Sequence, residues 1–390
     1  MKKINLFLTI FIISCSYTFS QWQQTNGPYN FGIKNIVTID TSIFASTAYG
    51  VFYSNNRGIN WISVNNGLSG MYFCLETDGT NLFAGSDGGA FLSTNKGNSW
   101  TNINSNISTL HPYSFAINGG TIYTVTNDNN VYKSTNNGNS WTIKNIVLTN
   151  IYANVIAAND SILIVGSSNG IFVSNDHGNT WSHSTNGLPN LQVSAIAFNG
   201  NNIFVGTNGG GIFLSSDNGL NWISVSIGIP ENNIISSIYC YGSNIFAGIG
   251  QFGVFLSIDN GNQWTAWNTG GLSYRYINAM TILDSTIYAG ENAGYIWERP
   301  LSELIKIEEI YDNNNIYIYS NSNILNIEFK QFSISNQQTI DIYDLQGRLL
   351  LKEQINSEKT EINISRLSKG IYILKLNGNN KTEVTKFIKG

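Results

Sequence analysis

The chain has 390 residues, of which 42% are hydrophobic, 13% aromatic and only 11% charged, against about 25% charged in an ordinary globular protein. A coiled coil would be rich in Glu, Lys and Arg, and a charged disordered chain would lack these aromatics. With 20 basic against 24 acidic residues and a net charge of -4, no field collects phosphate or an anionic membrane, so nucleic acid is not an expected partner.

Residues 1–20 place Lys2 and Lys3 before an apolar run from Ile4 to Ile13, followed by small polar residues, the pattern of a signal peptide. The run is shorter than the roughly 20 apolar residues that span a bilayer, and no later stretch approaches that length, so the mature chain is expected to be exported without a transmembrane segment. Two processing readings stand: cleavage after Ser20, which the C-terminus favours, and lipidation of Cys15 behind Ile12, Ile13 and Ser14. Removal of the signal leaves Cys74 and Cys240, in non-adjacent repeats and at opposite strand parity. Two buried thiols are expected. His111, His177 and His183 have no ligand-like spacing, so neither a metal nor a cofactor is expected.

One string then recurs six times, as in YSNNRGINW, LSTNKGNSW and VSNDHGNTW. Its form is S-x-[N/D]-x-G-x-x-W, with Trp61, Trp100, Trp141, Trp181, Trp222 and Trp264 spaced by 39 to 42 residues. Two short apolar strands, such as NIFVGT and GIFLS, precede each copy. A period near 40 with several strands per unit is that of a propeller blade. At the third position Asn56, Asn95, Asn136, Asp176, Asp217 and Asp259 are placed to accept a backbone N–H in an Asx turn, while the Gly supplies positive φ. The Trp anchors the next strand by burying about 150–250 Å². The second- and third-strand motifs each appear seven times, but the seventh unit ends in GYIWERP without a turn or Trp. Trp22 lies 39 residues before Trp61, in phase with the series. The segment QWQQT is therefore expected to supply the missing outer strand beside Ile296 and to close an all-β, seven-bladed ring over residues 21–303.

The repeated turns share one face with Asp40, Asp78, Asp160 and Asp284, which read as turn formers. A ligand is expected among the opposite loops. These offer Tyr29, Tyr49, Tyr113, Tyr152, Asn208, Phe252, Trp267, Tyr274 and Arg275 for stacking and hydrogen bonding. Asp87, Asp128, Glu231 and Glu291 are the carboxylates placed for acid–base work. A glycosidase needs two of them about 5–9.5 Å apart, and these four come from different blades or junctions. A sialidase would need an arginine cluster, yet the ring holds only Arg57, Arg275 and Arg299. The strings GSSNG at 166–170 and GIGQFG at 248–253 match G-x-S-x-G and G-x-G-x-x-G, but strands rather than helices follow, so both read as tight turns. Recognition of a glycan or an extracellular protein is the favoured reading. A glycoside hydrolase and a structural or assembly protein of the cell envelope are the alternatives.

These repeats resemble the Asp-box, or BNR, repeat of sialidase-like propellers. The resemblance implies the fold, and it extends to sialidases, oligoxyloglucan-processing glycoside hydrolases, sortilin-type receptors and photosystem II assembly-factor-like proteins, so it selects no single activity.

Composition changes near residue 304, from 7 basic and 14 acidic residues over 21–303 to 11 basic and 10 acidic over 304–390. After a linker at 304–310, alternating strands such as IYIYS, QTIDIYDL and GIYILKL read as a small immunoglobulin-like β-sandwich over 311–390. The strings IDIYDLQGRLL, INISRLSKGIYILKL and TKFIKG closely resemble the type A sorting domain of the type IX secretion system of Bacteroidota. The resemblance assigns Asp344, Gly347 and Arg348 to its D-x-x-G-R turn, Gly370 and Tyr372 to its G-x-Y strand, and Lys386 and Lys389 to its closing strand. It implies handling by the type IX machinery and passage through the periplasm to the outer cell surface or the extracellular space.

Overall fold

Each repeat folds into an antiparallel sheet because its short apolar runs are separated by turns that only Gly, Asn and Asp adopt cheaply. The computed structural model describes residues 21–389 except 30, 106–110, 145, 147–150, 190–191, 269–270, 273–274, 307–315, 322–323, 330–338, 345–346, 356, 358, 369 and 378–381. The expected signal peptide and Tyr274 lie outside the described residues. Blade 1 is Ile33–Ile39, Ser42–Thr47, Gly50–Ser54 and Ile62–Ser63. Blades 2 to 6 repeat this order at 72–102, 112–144, 153–184, 193–224 and 235–266. Blade 7 takes Ile277–Leu283, Thr286–Glu291 and Ile296–Pro300 from one end of the ring and Gln23–Gln24 from the other. Gln23 pairs with Glu298, Gln24 with Trp297, and the Thr25 N–H donates to the Ile296 carbonyl at 2.9 Å. The inner strand of every blade packs against the next, that of blade 7 against that of blade 1. A seven-bladed, all-β ring results.

Both faces of a blade are covered by neighbours, so burial of the second strands does not alternate along them; every residue of Ser42–Thr47 is buried, its hydroxyl-bearing residues included. Close blade packing also explains the glycine ending several of these strands. A Cβ on Gly206 would lie 2.4 Å from Ile235 Cγ2 of blade 6.

The repeated turn has the expected chemistry with one addition. In each copy the Ser hydroxyl accepts the Gly N–H at 2.8–2.9 Å. The Asn or Asp Oδ1 accepts the N–H of the residue before the Trp at 2.8–3.0 Å. The residue before the Gly is left-handed as well, for example Arg57 at φ 57° and Asn218 at φ 59°. The Trp does more than begin a strand. Trp100 Nε1 donates to Val64 O at 2.7 Å, Trp141 to Ile103 O at 2.9 Å and Trp264 to Val225 O at 2.7 Å, in each case reaching the preceding blade. Trp222 reaches the Ser184 hydroxyl. Trp61 and Trp181 are half-buried, and their indole nitrogens find no acceptor among the described residues.

Three features depart from the sequence-based expectations. Every inner strand carries a bulge after its first residue, at Lys34, Phe73, Tyr113, Asn154, Ser194, Ser236 and Asn278. In blades 5 to 7 the bulged side chain staples the next blade: Ser194 to Ile235 O at 2.7 Å, Ser236 to Ile277 O at 2.7 Å, and Asn278 to Ile33 O at 2.8 Å. Trp267, expected on a ligand-facing loop, is only 7% exposed. It follows the outer strand Thr265–Ala266 and turns inward, with Trp22 and Phe246 both 5.4 Å away and the Arg299 guanidinium 4.0 Å over its ring. Finally, both cysteines are free, but only Cys74 is fully buried; Cys240 is half-buried.

Residues 300–390 form a separate unit, the division falling at Arg299/Pro300 because the 3₁₀ segment Leu301–Lys306 packs on the strand Ile316–Asn321. A three-stranded and a four-stranded antiparallel sheet enclose Leu325, Ile327, Ile340, Ile342, Ile362 and Leu374, which makes a small β-sandwich. The D-x-x-G-R turn is closed twice over. Asp344 Oδ1 accepts the Arg348 N–H at 2.9 Å, and its Oδ2 accepts Arg348 Nε at 2.6 Å. Gly347 provides φ 79°. Tyr372 donates to Ser368 O at 2.6 Å, and the closing strand places Lys389 opposite Gly370 and Lys386 opposite Ile373. Among the described residues no helix is long and apolar enough to cross a membrane.

Trp22 holds the seam through an indole bond to Trp267 O at 2.6 Å. Trp22→Ala is expected to lower stability by about 3–5 kcal/mol, as for other buried Trp truncations, read as a shift of the urea midpoint. An unchanged midpoint would show that the ring is closed by other contacts.

Candidate functional site

The face opposite the repeated turns carries an aromatic ridge across the seam between blades 7 and 1. Tyr29, on the segment entering blade 1, meets Tyr295 of the blade 7 turn edge-on at 5.9 Å. Phe31 lies 4.7 Å from Tyr49 and 6.2 Å from Phe52. Tyr29 is 45% and Tyr49 67% exposed. Glycines allow the two segments to touch: a Cβ on Gly294 would meet Phe31 N at 2.4 Å, and one on Gly32 would meet Asn292 O at 2.6 Å. Two of the aromatics chosen from the sequence thus each gain a ring partner, Tyr29 in Tyr295 and Tyr49 in Phe31, neither of which the sequence reasoning singled out. A 2–3 turn in blade 7 corresponding to that of Tyr49 was the available signal for Tyr295.

The other loop candidates are not gathered there. Tyr113, Tyr152, Asn208 and Phe252 are exposed on blades 3, 4, 5 and 6. Arg275 precedes blade 7 and is committed to Glu291, with Nη1 3.3 Å from Oε1, and its guanidinium lies 5.9 Å from the Trp297 ring.

The four carboxylates are also separated. Asp87 is exposed and accepts the Met71 N–H at 2.6 Å. Asp128 is held below the usual range, because burial, which raises it, is outweighed by hydrogen bonds from Thr126, Tyr132 and Asn130. Glu231 is exposed between blades 5 and 6. Glu291 is 1% exposed. Burial pushes its carboxyl up against the opposing effects of Arg275 and Trp297, and its Oε2 has no partner among the described residues. None of the four shares a hydrogen bond or an ion pair with another among the described residues.

A fifth carboxylate was not singled out from the sequence. The inner strands of all seven blades line a central channel of about 450 Å³, and Glu76 stands in its wall. Equivalent register positions hold Val37, Ala116, Ala157, Ala197, Tyr239 and Thr281. The exception is visible only once the inner strands are aligned on their bulges. Burial pushes the Glu76 carboxyl up to about 7, although the Thr77 N–H bond to Oε1 at 3.0 Å acts in the opposite direction.

This shift fixes a sign for stability. Between the ordinary value of 4.5 and about 7 the folded chain holds a proton that the unfolded chain has lost, so Glu76 lowers stability as pH rises through that window. Glu76→Gln is therefore expected to gain in urea midpoint relative to wild type between pH 4 and pH 8. A difference independent of pH would refute the assignment.

Residues 64–323 match the family model described as the DUF6242 beta propeller domain, and residues 315–390 match the secretion system C-terminal sorting domain. No curated protein matches the chain in sequence. Among solved structures, YCF48 from Cyanidioschyzon merolae is similar with a TM-score of 0.57 and 14% identity, covering 72% of this chain and 99% of that one. PorZ, described as an essential surface component of the type-IX secretion system of Porphyromonas gingivalis, has a TM-score of 0.56 and 14% identity, covering 93% of this chain and 60% of its own. The GH74 xyloglucanase of Xanthomonas campestris has a TM-score of 0.58 and 13% identity, covering 73% of this chain and 54% of its own. At these identities the likeness shows the fold.

Proposed function

The chain belongs to the DUF6242 beta propeller family and carries a sorting domain that directs it to the cell surface or the extracellular space, and from this premise we propose that its propeller is a recognition module for a glycan or protein ligand. The observation that carries the reading is the exposed tyrosine ridge at the seam. Its exposed tyrosine rings offer apolar faces with hydroxyl groups at their tips, which suits sugars or extended polypeptide. The ring carries 14 acidic and 7 basic residues over 283 positions, so recognition rests on stacking and hydrogen bonding more than on charge. The repeated turns follow the Asp-box pattern, and kinship with sialidase-like propellers is part of this reading.

A glycoside hydrolase is the second reading, favoured by the raised carboxyl of Glu291 beside Arg275 and by the fold shared with a xyloglucanase. The mature chain is to be tested on immobilised polysaccharides, recording both retention and release of reducing ends. Tyr29→Ala with Tyr49→Ala is expected to weaken retention about tenfold, two stacking contacts of about 0.5–1.5 kcal/mol each. Reducing-end release abolished by Glu291→Gln would establish the hydrolase, and absence of both signals would transfer the reading to a protein partner. For the sorting domain, removal of residues 311–390 is expected to leave the propeller in the periplasm, checked by cell fractionation; undiminished surface exposure would show that export has another determinant.

A further inference from the structure

The central channel is distinct from the tyrosine ridge and has a chemistry of its own. Its described lining contains one carboxylate, Glu76, and no Lys, Arg or His. The strands packed against that of Glu76 are Ile33–Ile39, Ser42–Thr47, Leu82–Ser86 and Pro112–Asn118. Their titratable side chains are Lys34, exposed at the bulged end, and Tyr113 at the same end of its strand. On its own strand the nearest is Cys74, whose thiol burial pushes up. Among the described residues no cation faces Glu76. Its Oε1 accepts the Thr77 N–H, and its Oε2 takes no hydrogen bond from the described residues.

A metal ion is poorly served by this wall, since the described residues contain no group of three or more His, Cys, Asp or Glu side chains. An ammonium group is better served. It has three donors and no acceptor, matching a channel whose described lining holds one carboxylate together with neutral acceptors such as the hydroxyls of Thr38 and Thr281 and the amide of Asn35. A volume of about 450 Å³ falls within the roughly 300–1,000 Å³ of small-molecule sites.

We propose that the central channel binds a small hydroxylated ammonium ion, an amino alcohol or amino sugar, with Glu76 as its counter-ion. The binding form of Glu76 is the carboxylate. With its carboxyl titrating at about 7, the site is about half protonated at neutral pH, and the ligand must displace that proton into solvent.

The test uses the full mature chain with ethanolamine as probe and ethylene glycol as its uncharged control, followed by ligand-observed NMR and calorimetry. Ethanolamine is expected to bind and ethylene glycol not. Affinity is expected to rise about tenfold from pH 6 to pH 8, with proton release at pH 7 detected as a dependence of the heat on the buffer's ionisation enthalpy. Glu76→Gln, which keeps the shape of the side chain, is expected to lose at least tenfold in affinity while retaining cooperative thermal unfolding. Equal affinity of the Gln variant overturns the proposal, as does failure of ethanolamine to bind at pH 8. Tighter binding at pH 6 than at pH 8 also overturns it, since that would identify a protonated acid donating to a neutral ligand. The wild-type pH profile and proton release decide the matter even if the variant fails to fold.

Discussion

A blade has two apolar faces, and neither can be left to water. Removing the cover from one face would expose side chains such as Phe44, Phe83 and Phe204, each fully buried, at about 25 cal/mol per Å² of apolar surface. The only arrangement that covers both faces of every blade with a small number of identical units is a closed ring. Closure in turn requires the last sheet to have a fourth strand, which is supplied by Gln23–Gln24 from the other end of the propeller. The indole bonds from Trp22, Trp100, Trp141 and Trp264 to the preceding blade repeat one contact around this ring. At the seam that contact joins residues 245 positions apart.

What was legible in the sequence follows from how local its cause is. The repeated turn is specified within eight residues: the acceptor side chain and the Gly act as read, and the Ser hydroxyl adds a bond to the Gly N–H. The D-x-x-G-R turn of the sorting domain is equally local, and Asp344 and Arg348 meet as their spacing requires. The bulges were illegible because their residues share no chemistry: Lys34, Tyr113, Asn154 and Ser194 occupy one backbone position. Trp267 could be placed on a loop from its position in the repeat, but its burial depends on Trp22 and Arg299, which arrive with ring closure. The tyrosine ridge has the same origin, since Tyr29 and Tyr295 belong to opposite ends of the propeller.

Low charge is a consequence of the turn chemistry. Asn56 and Asp176 occupy the same position and accept the same backbone N–H, at 2.9 and 2.8 Å, so the acceptor oxygen and not the charge is what the turn uses. At Asp176 and Asp217 hydrogen bonds lower the carboxyl to about 2, led by the Thr180 hydroxyl for Asp176 and the Asn221 amide for Asp217. Those carboxylates stay ionised and engaged with their own backbone. Other charges in the ring are few. Several have a visible structural partner: Arg57 with Asp284 and Lys96 with Asp40 across blades, and Arg299 with Trp267 at the seam.

Against that background Glu76 differs in kind from the aspartates of the repeated turns. A turn aspartate is stabilised in its charged form by donors on its own loop, whereas Glu76 stands on an inner strand with a single backbone donor and a raised pKa. Its six counterparts around the ring are uncharged at neutral pH, and three are alanine, so packing of the inner strands does not require a carboxylate there. A buried carboxyl without a cationic partner costs stability whenever it is ionised. The fold bears that cost at one blade of seven, while the other six place a neutral side chain at the same register position.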